Sequence, residues 1–208
     1  MEFELWEPLY LSILRDMGFS REEDEHAAHL LSRMLDQSKT ADVSVLRKLI
    51  AGKSVVVCGN APGLGAGIDH MDISGYVIIA ADGATASLVD RDIIPDIIVT
   101  DLDGDIEKEI IANKKGSIIV VHAHGDNMDK LERYVPLLND IIGSTQSTPL
   151  KNVYNFGGFS DGDRCVFLAK EFGASDIKLL GFDFEDKNVT SVKKKKLKWA
   201  KKLIGDIL

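Results

Sequence analysis

The chain has 208 residues, enough for one large domain or one domain with an appendage. Its 45% apolar and 28% charged residues describe an ordinary globular chain, and a net charge of −8 argues against a general nucleic-acid binder. No run approaches the roughly 18 apolar residues that span a bilayer, so no membrane partner is expected.

The opening "MEFELWEPLY" has no basic stretch and no long apolar run, so the expectation is a cytoplasmic protein without a signal peptide. Residues 1–50 read as an N-terminal helical segment. In "SREEDEHAAHLLSRML", Ser20 and Glu23 have capping-box spacing, and acidic residues fill the first turn, where the helix dipole favours them. Leu30, Leu31 and Met34 recur at helical spacing, and His26 and His29 read as part of a polar helix surface. These helices either cap the larger part of the fold or build a subunit interface, which leaves a homo-oligomer open.

Residues 51–208 read as an α/β nucleotide-binding catalytic domain. "SVVVCGN", "YVIIAADGA", "DIIVTDLDGD", "SIIVVHAHGDN", "NVYNFGGF" and "DIKLLGFDF" are short apolar runs, the mark of strands covered on both faces. Amphipathic segments lie between them: "ATASLVDRDI", "DIEKEIIANKKG", "DKLERYVPLLNDII" and "DGDRCVFLAKEFGA". The alternation predicts a doubly wound, mainly parallel sheet of about six strands. Cys58 and Cys165 lie in apolar contexts without CxxC spacing and are expected as buried thiols in a reducing compartment. In the final segment, "SVKKKKLKWAKKLIGDIL", Leu197, Ala200, Leu203, Ile204 and Ile207 trace one apolar helical face, and the lysines read as its solvated side.

The strand ends carry the functional signal. The six runs finish at Gly59-Asn60, at Asp82-Gly83, at Asp101 and Asp103, at His122, His124, Asp126 and Asn127, at Asn155 with Gly157-Gly158, and at Asp183. In a parallel sheet these carboxyl ends share one edge, where ligands of open α/β sheets bind. If the extended conformation persists, Asp101 and Asp103 point to one side of their strand and suit a hard cation such as Mg²⁺. A solvated turn is the plainer alternative, and Asp105 is the expected N-cap of the next helix. "CGNAPGLGAGI" and "GGFSDGDR" are turns whose glycines permit close backbone approach to an anion. In the second, Ser160 or Asp161 is the expected N-cap and Arg164 a candidate phosphate clamp.

Single-motif readings fail. An EF-hand loop from Asp101 would need glycine where Ile106 stands and glutamate where Ala112 stands. A dehalogenase-type phosphatase motif would need threonine in place of Asp105 and a position in the first strand. A metallo-β-lactamase motif in "HAHGDN" meets Asn127 instead of histidine, and every other histidine lies upstream. No GK[ST] follows the first glycine loop. The dinucleotide fingerprint also breaks, because Ile68 stands where its last glycine belongs.

Taken in order, "CGNAPGL", "AADGATASLVDRDIIPDIIVTDLDGD", "VHAHGDN" and "GGFSDGDRCVFLAKEFGASDIKLLGFDF" resemble the archaeal 6-hydroxymethyl-7,8-dihydropterin pyrophosphokinase family over about residues 54–186. The acidic segment is also similar to that of the thiamine pyrophosphokinases. The resemblance implies Mg²⁺-dependent diphosphate transfer from ATP to the hydroxymethyl group of a reduced pterin, with release of AMP, in folate or methanopterin synthesis. It makes Asp101 and Asp103 metal ligands and leaves His122, His124 and Asp126 as alternatives for orienting or deprotonating the hydroxyl. It places phosphates against Gly59, Asn60 and Ala61 and against Gly157, Gly158, Ser160, Asp161, Asp163 and Arg164. Asp82 or Asp183 would pair with the aminopyrimidine edge. The glycine-rich Gly63–Gly67 stretch departs from the family pattern. Competing expectations are a thiamine pyrophosphokinase, a sugar-nucleotide-dependent glycosyltransferase-like enzyme and a non-catalytic nucleotide-binding regulatory module.

Overall fold

A computed structural model describes residues 1–36 and 38–208. Seven strands form one sheet: β1 (Ser54–Cys58), β2 (Val77–Ala81), β3 (Ile97–Thr100), β4 (Ile118–Ala123), β5 (Ile141–Thr145), β6 (Val153–Tyr154) and β7 (Asp176–Leu180). Their order is β6-β5-β4-β3-β2-β1-β7, and every neighbouring pair is parallel. The α/β class and the parallel sheet agree with the sequence pattern. The seventh strand is β5, whose Ile141 and Ile142 also fit the helical periodicity of "DKLERYVPLLNDII". That helix instead ends at Tyr134, a 3₁₀ turn containing Pro136 follows, and Asp140 takes a positive φ of 50° before the strand begins.

Nine α-helices accompany the strands among the described residues: α1 (Phe3–Met17), α2 (Arg21–Leu35), α3 (Ser44–Ile50), α4 (Leu64–His70), α5 (Ala84–Val89), α6 (Ile106–Lys114), α7 (Met128–Tyr134), α8 (Asp161–Glu171) and α9 (Ser191–Ile207). Strand side chains alternate between two cores, as a period of two requires. Val56, Cys58, Ile78, Ala80, Ile98, Ile119 and Val121 meet α2 and α4–α7 on one face. Val55, Val57, Val77, Ile79, Ile97, Val99 and Val120 meet α3, α8 and the end of α9 on the other. A third cluster packs α1 on α8 and α9 through Trp6, Tyr10, Ile13, Phe167 and Leu203. The N-terminal helices therefore cover both faces of the sheet. Both cysteines are buried and unpaired. No helix among the described residues is long and apolar enough to cross a membrane.

This winding positions the site. Strand β1 leads to β2 through α4 on the first face, whereas its neighbour β7 leads to α9 on the second. The two loops diverge at adjacent carboxyl ends and open a crevice there. Their backbones touch: Gly59 N donates to Leu180 O and Ala61 N to Gly181 O, each at 2.8 Å. A Cβ on Gly59 would stand 2.7 Å from Gly181 O, and Gly181 holds a φ of 68°, so this contact requires glycine at both positions.

Candidate active site

A cavity of about 410 Å³ runs along the carboxyl edge of the sheet. It gathers most of the residues singled out from the strand ends: Gly59, Asn60, Ala61, Asp82, Asp101, Asp103, His124, Asp126, Ser160, Asp161, Arg164 and Asp183 all line it. His122, Gly157, Gly158 and Asp163 do not.

The acidic segment divides in an unexpected way. Strand β3 ends at Thr100, and Leu102 turns into the left-handed region with a φ of 64°. The extended geometry that would align Asp101 with Asp103 is thereby lost. Asp103 is exposed and pairs with Lys130. Asp101 turns inward and joins Asp82 and Asp161, with one carboxylate oxygen from each lying within 4.8 Å of the others. Asp105 caps α6, accepting from Lys108 N at 3.3 Å.

Each member of the cluster is held from behind. Asp82 Oδ2 accepts from Asp103 N and Gly104 N, both at 3.0 Å, and lies 3.2 Å from Thr100 Oγ1. Its Oδ1 is buried without a hydrogen-bond partner among the described residues, as is Asp101 Oδ1. Asp101 Oδ2 faces His124 Nε2 at 3.3 Å. Since Asp126 N donates to His124 Nδ1 at 3.2 Å, Nε2 is the nitrogen that donates to Asp101. Asn127 ties the two strand ends together by donating to Asp101 O and His122 O, at 2.9 and 2.8 Å. Ser160 is the N-cap of α8, and Asp161 in its first turn accepts from Arg164 Nη1 at 3.0 Å.

Burial and mutual repulsion shift these groups. Burial, with the Asp101 charge beside it, raises Asp82 to about 6. Burial also works to raise Asp101, but the His124 hydrogen bond and the Arg164 charge outweigh it and hold Asp101 below the usual carboxylate range. Asp161 is pushed well up, first by burial and then by Asp101. Behind them Glu109, fully buried 3.0 Å from Thr100 Oγ1, is pushed well up by burial and by Asp82. Two orphaned oxygens in a converging carboxylate set fit a hard divalent cation, which takes oxygen ligands and relieves the repulsion.

The residues outside the cavity have structural surroundings. His122 lies under the site on β4, 1% exposed, with Nδ1 3.2 Å from Ser144 Oγ. Burial drives its protonated form well out of range, so the ring is neutral. Asp163 is buried and accepts from Phe159 N and Ser160 N, completing the cap of α8. Gly157 and Gly158 shape that turn with φ values of 83° and 87°.

Two residues of the cavity wall carry no sequence signal. Asp24, on α2, is 3% exposed and accepts from Tyr10 OH and Gln146 Nε2 at 2.8 Å and from Gly125 N at 3.0 Å. Gln146 then accepts from Arg164 Nη2 at 3.2 Å. This chain of bonds runs from the N-terminal helices to the carboxylate cluster. Asp24 reads as one more acidic residue of a first turn, and Gln146 follows the strand that the pattern hid.

The fold and cavity define a class: an open parallel α/β protein whose carboxyl edge is built around a carboxylate cluster. Comparison with known proteins gives the family. Residues 26–189 match the family described as 6-hydroxymethylpterin diphosphokinase MptE-like. The chain is 41% identical to the 6-hydroxymethyl-7,8-dihydropterin pyrophosphokinase of Methanocaldococcus jannaschii, an alignment covering 99% of this chain and 95% of that one. Identity is 45% to the protein of that name from Methanothermobacter thermautotrophicus and 46% to that from Pyrococcus furiosus, each over 88% of this chain and 79% of the relative. The chain belongs to the MptE-like 6-hydroxymethylpterin diphosphokinase family.

Proposed function

We propose that the chain is a cytoplasmic 6-hydroxymethyl-7,8-dihydropterin pyrophosphokinase, transferring diphosphate from ATP to the pterin hydroxymethyl group and releasing AMP. The observation that carries the reading is the convergence of Asp82, Asp101 and Asp161, with two buried oxygens unpartnered among the described residues, at the ligand-binding edge of this fold. Those three carboxylates would hold Mg²⁺, which supplies charge neutralisation for the phosphates.

The chain's own residues then align the reactants, which is most of what such transfer needs. His124 orients Asp101 through its Nε2 and has both ring nitrogens engaged, so it acts as a positioning residue. His122 lies beneath the cavity. Asp126 is exposed on the cavity wall, and its carboxylate has no hydrogen-bond partner among the described residues. It is the group that accepts the hydroxyl proton. Arg164, fixed by Asp161 and Gln146, brings a positive charge to the transferring group. Phe182 and Phe184, with ring centroids 5.6 Å apart, line the cavity beside Asp183 and offer apolar surface and an acceptor to a flat aminopyrimidine ring.

The test is to incubate purified protein with ATP and Mg²⁺ and either the reduced pterin, thiamine or a sugar acceptor. AMP and a diphosphorylated pterin are the expected products. AMP formed with thiamine and none with the pterin would overturn the assignment.

A further inference from the structure

Carboxylates far outnumber fixed cations on the cavity wall, where the cations among the described residues are Arg164, Lys193 and Lys196. Arg164 is already engaged by Asp161 and Gln146. A ligand bearing several negative charges therefore meets the two lysines of α9 as its available amines.

The run "KKKK" at 193–196 is not one uniform solvated face, because successive residues of a helix project about 100° apart. Lys195 points away and pairs with Asp16 at 3.3 Å, while Lys194 is exposed outside the cavity. One turn on, Lys201 pairs with Glu185. Lys193, Lys196, Leu197 and Ala200, spaced i, i+3, i+4, i+7, form the face turned into the cavity. The side-chain amine of neither Lys193 nor Lys196 has an ion pair or hydrogen bond among the described residues. Lys196 is partly buried, and its charge reaches the carboxylate of Asp161. The helix is firmly placed: Thr190 caps it, accepting from Lys193 N at 3.2 Å, and Ala200, Leu203 and Ile204 are buried on its inner side. It also lies beyond the 26–189 segment that matches the family.

We propose that Lys193 and Lys196 of α9 are polyphosphate-binding residues, which hold the terminal phosphates of the nucleoside triphosphate in the cavity that contains the carboxylate cluster. This rests on the function proposed above and assigns to the C-terminal helix the charge balance that an acidic cavity lacks.

The experiment is calorimetric binding of ATP and AMP, with Mg²⁺, to the full-length protein and to Lys193→Ala, Lys196→Ala, Lys196→Arg and Lys194→Ala variants. Lys196→Ala is expected to weaken ATP binding about 10- to 100-fold, with a smaller loss for the more exposed Lys193→Ala. AMP affinity should stay unchanged in both, Lys196→Arg should recover most of the loss, and Lys194→Ala should match wild type. ATP affinities within about twofold of wild type in both alanine variants overturn the proposal, as does an equal loss for AMP and ATP. A wild type that binds ATP but releases AMP with none of the acceptors overturns the function while the lysine proposal is still judged on these affinities. A wild type that binds no polyphosphate nucleotide overturns both.

Discussion

Asp101 and Asp103 are only two residues apart, yet one joins a carboxylate cluster and the other reaches to Lys130. Their separation makes a direct test. Asp101→Asn is expected to lower turnover by about 10²-fold or more without unfolding the protein, because it removes a ligand charge from the proposed cation site. Asp103→Asn, measured in the same assay, should stay within about threefold of wild type, as a surface ion pair contributes little. Equal losses in both would show that the cluster is not the working unit. Gly104 gives a second test at this scale. A Cβ there would overlap Asp82 Oδ1, so Gly104→Ala forces that carboxylate to move. We expect turnover to fall about 10²-fold, as for a misplacement of about 1 Å, and the melting temperature to fall with it, because the displaced Asp82 is buried and hydrogen-bonded to this backbone.

At the scale of elements, the site depends on helices that precede the sheet in sequence. Trp6 of α1 is fully buried, packs edge-on against Phe167 at 6.0 Å and donates from Nε1 to Gln146 O at 2.9 Å. The same Gln146 holds both Asp24 and Arg164 through its side chain. Trp6→Ala should destabilise the fold by about 3–5 kcal/mol in chemical denaturation, the usual cost of deleting a large buried aromatic. A loss below about 1 kcal/mol would mean that α1 is loosely attached. Much of this scale was legible beforehand. The Ser20 and Asp105 caps, the apolar face of α9 and six of the strands follow from spacing and turn chemistry. Strand β5 was not legible. Its two isoleucines continue a helical pattern, and only sheet pairing with β4 and β6 favours the extended state.

At the scale of the molecule, the sheet order brings carboxylates from the ends of β2 and β3 and from the start of α8 to one point. On the function proposed above, a cation bound among them relieves their repulsion and stabilises the fold. A divalent cation at about 100 times its Kd should add about 2.7 kcal/mol to folding stability, read as a rise in melting temperature and reversed by a chelator. The sign with pH follows from Asp82. Its folded value of about 6 lies above the ordinary 3.8, so below pH 6 a proton occupies the site that the cation needs. The cation-induced rise should therefore shrink as pH falls from 7 towards 5. An equal rise at both values would remove Asp82 from the site.

By itself, the sequence determined the α/β class, the parallel sheet and the edge at which polar residues collect, because periodicity and turn residues are local properties of the chain. It also carried the family, since the motifs keep their order along it. Which carboxylates meet was decided by tertiary structure alone. Asp82, Asp101 and Asp161 are far apart in the chain, and the left-handed turn at Leu102 sends Asp103 outward where a simple extended strand would have kept it beside Asp101. The inward turn of Lys193 and Lys196, from a run that reads as a solvated surface, was likewise settled by where α9 packs. Local patterns specify elements, but the meeting of distant side chains depends on how those elements are stacked.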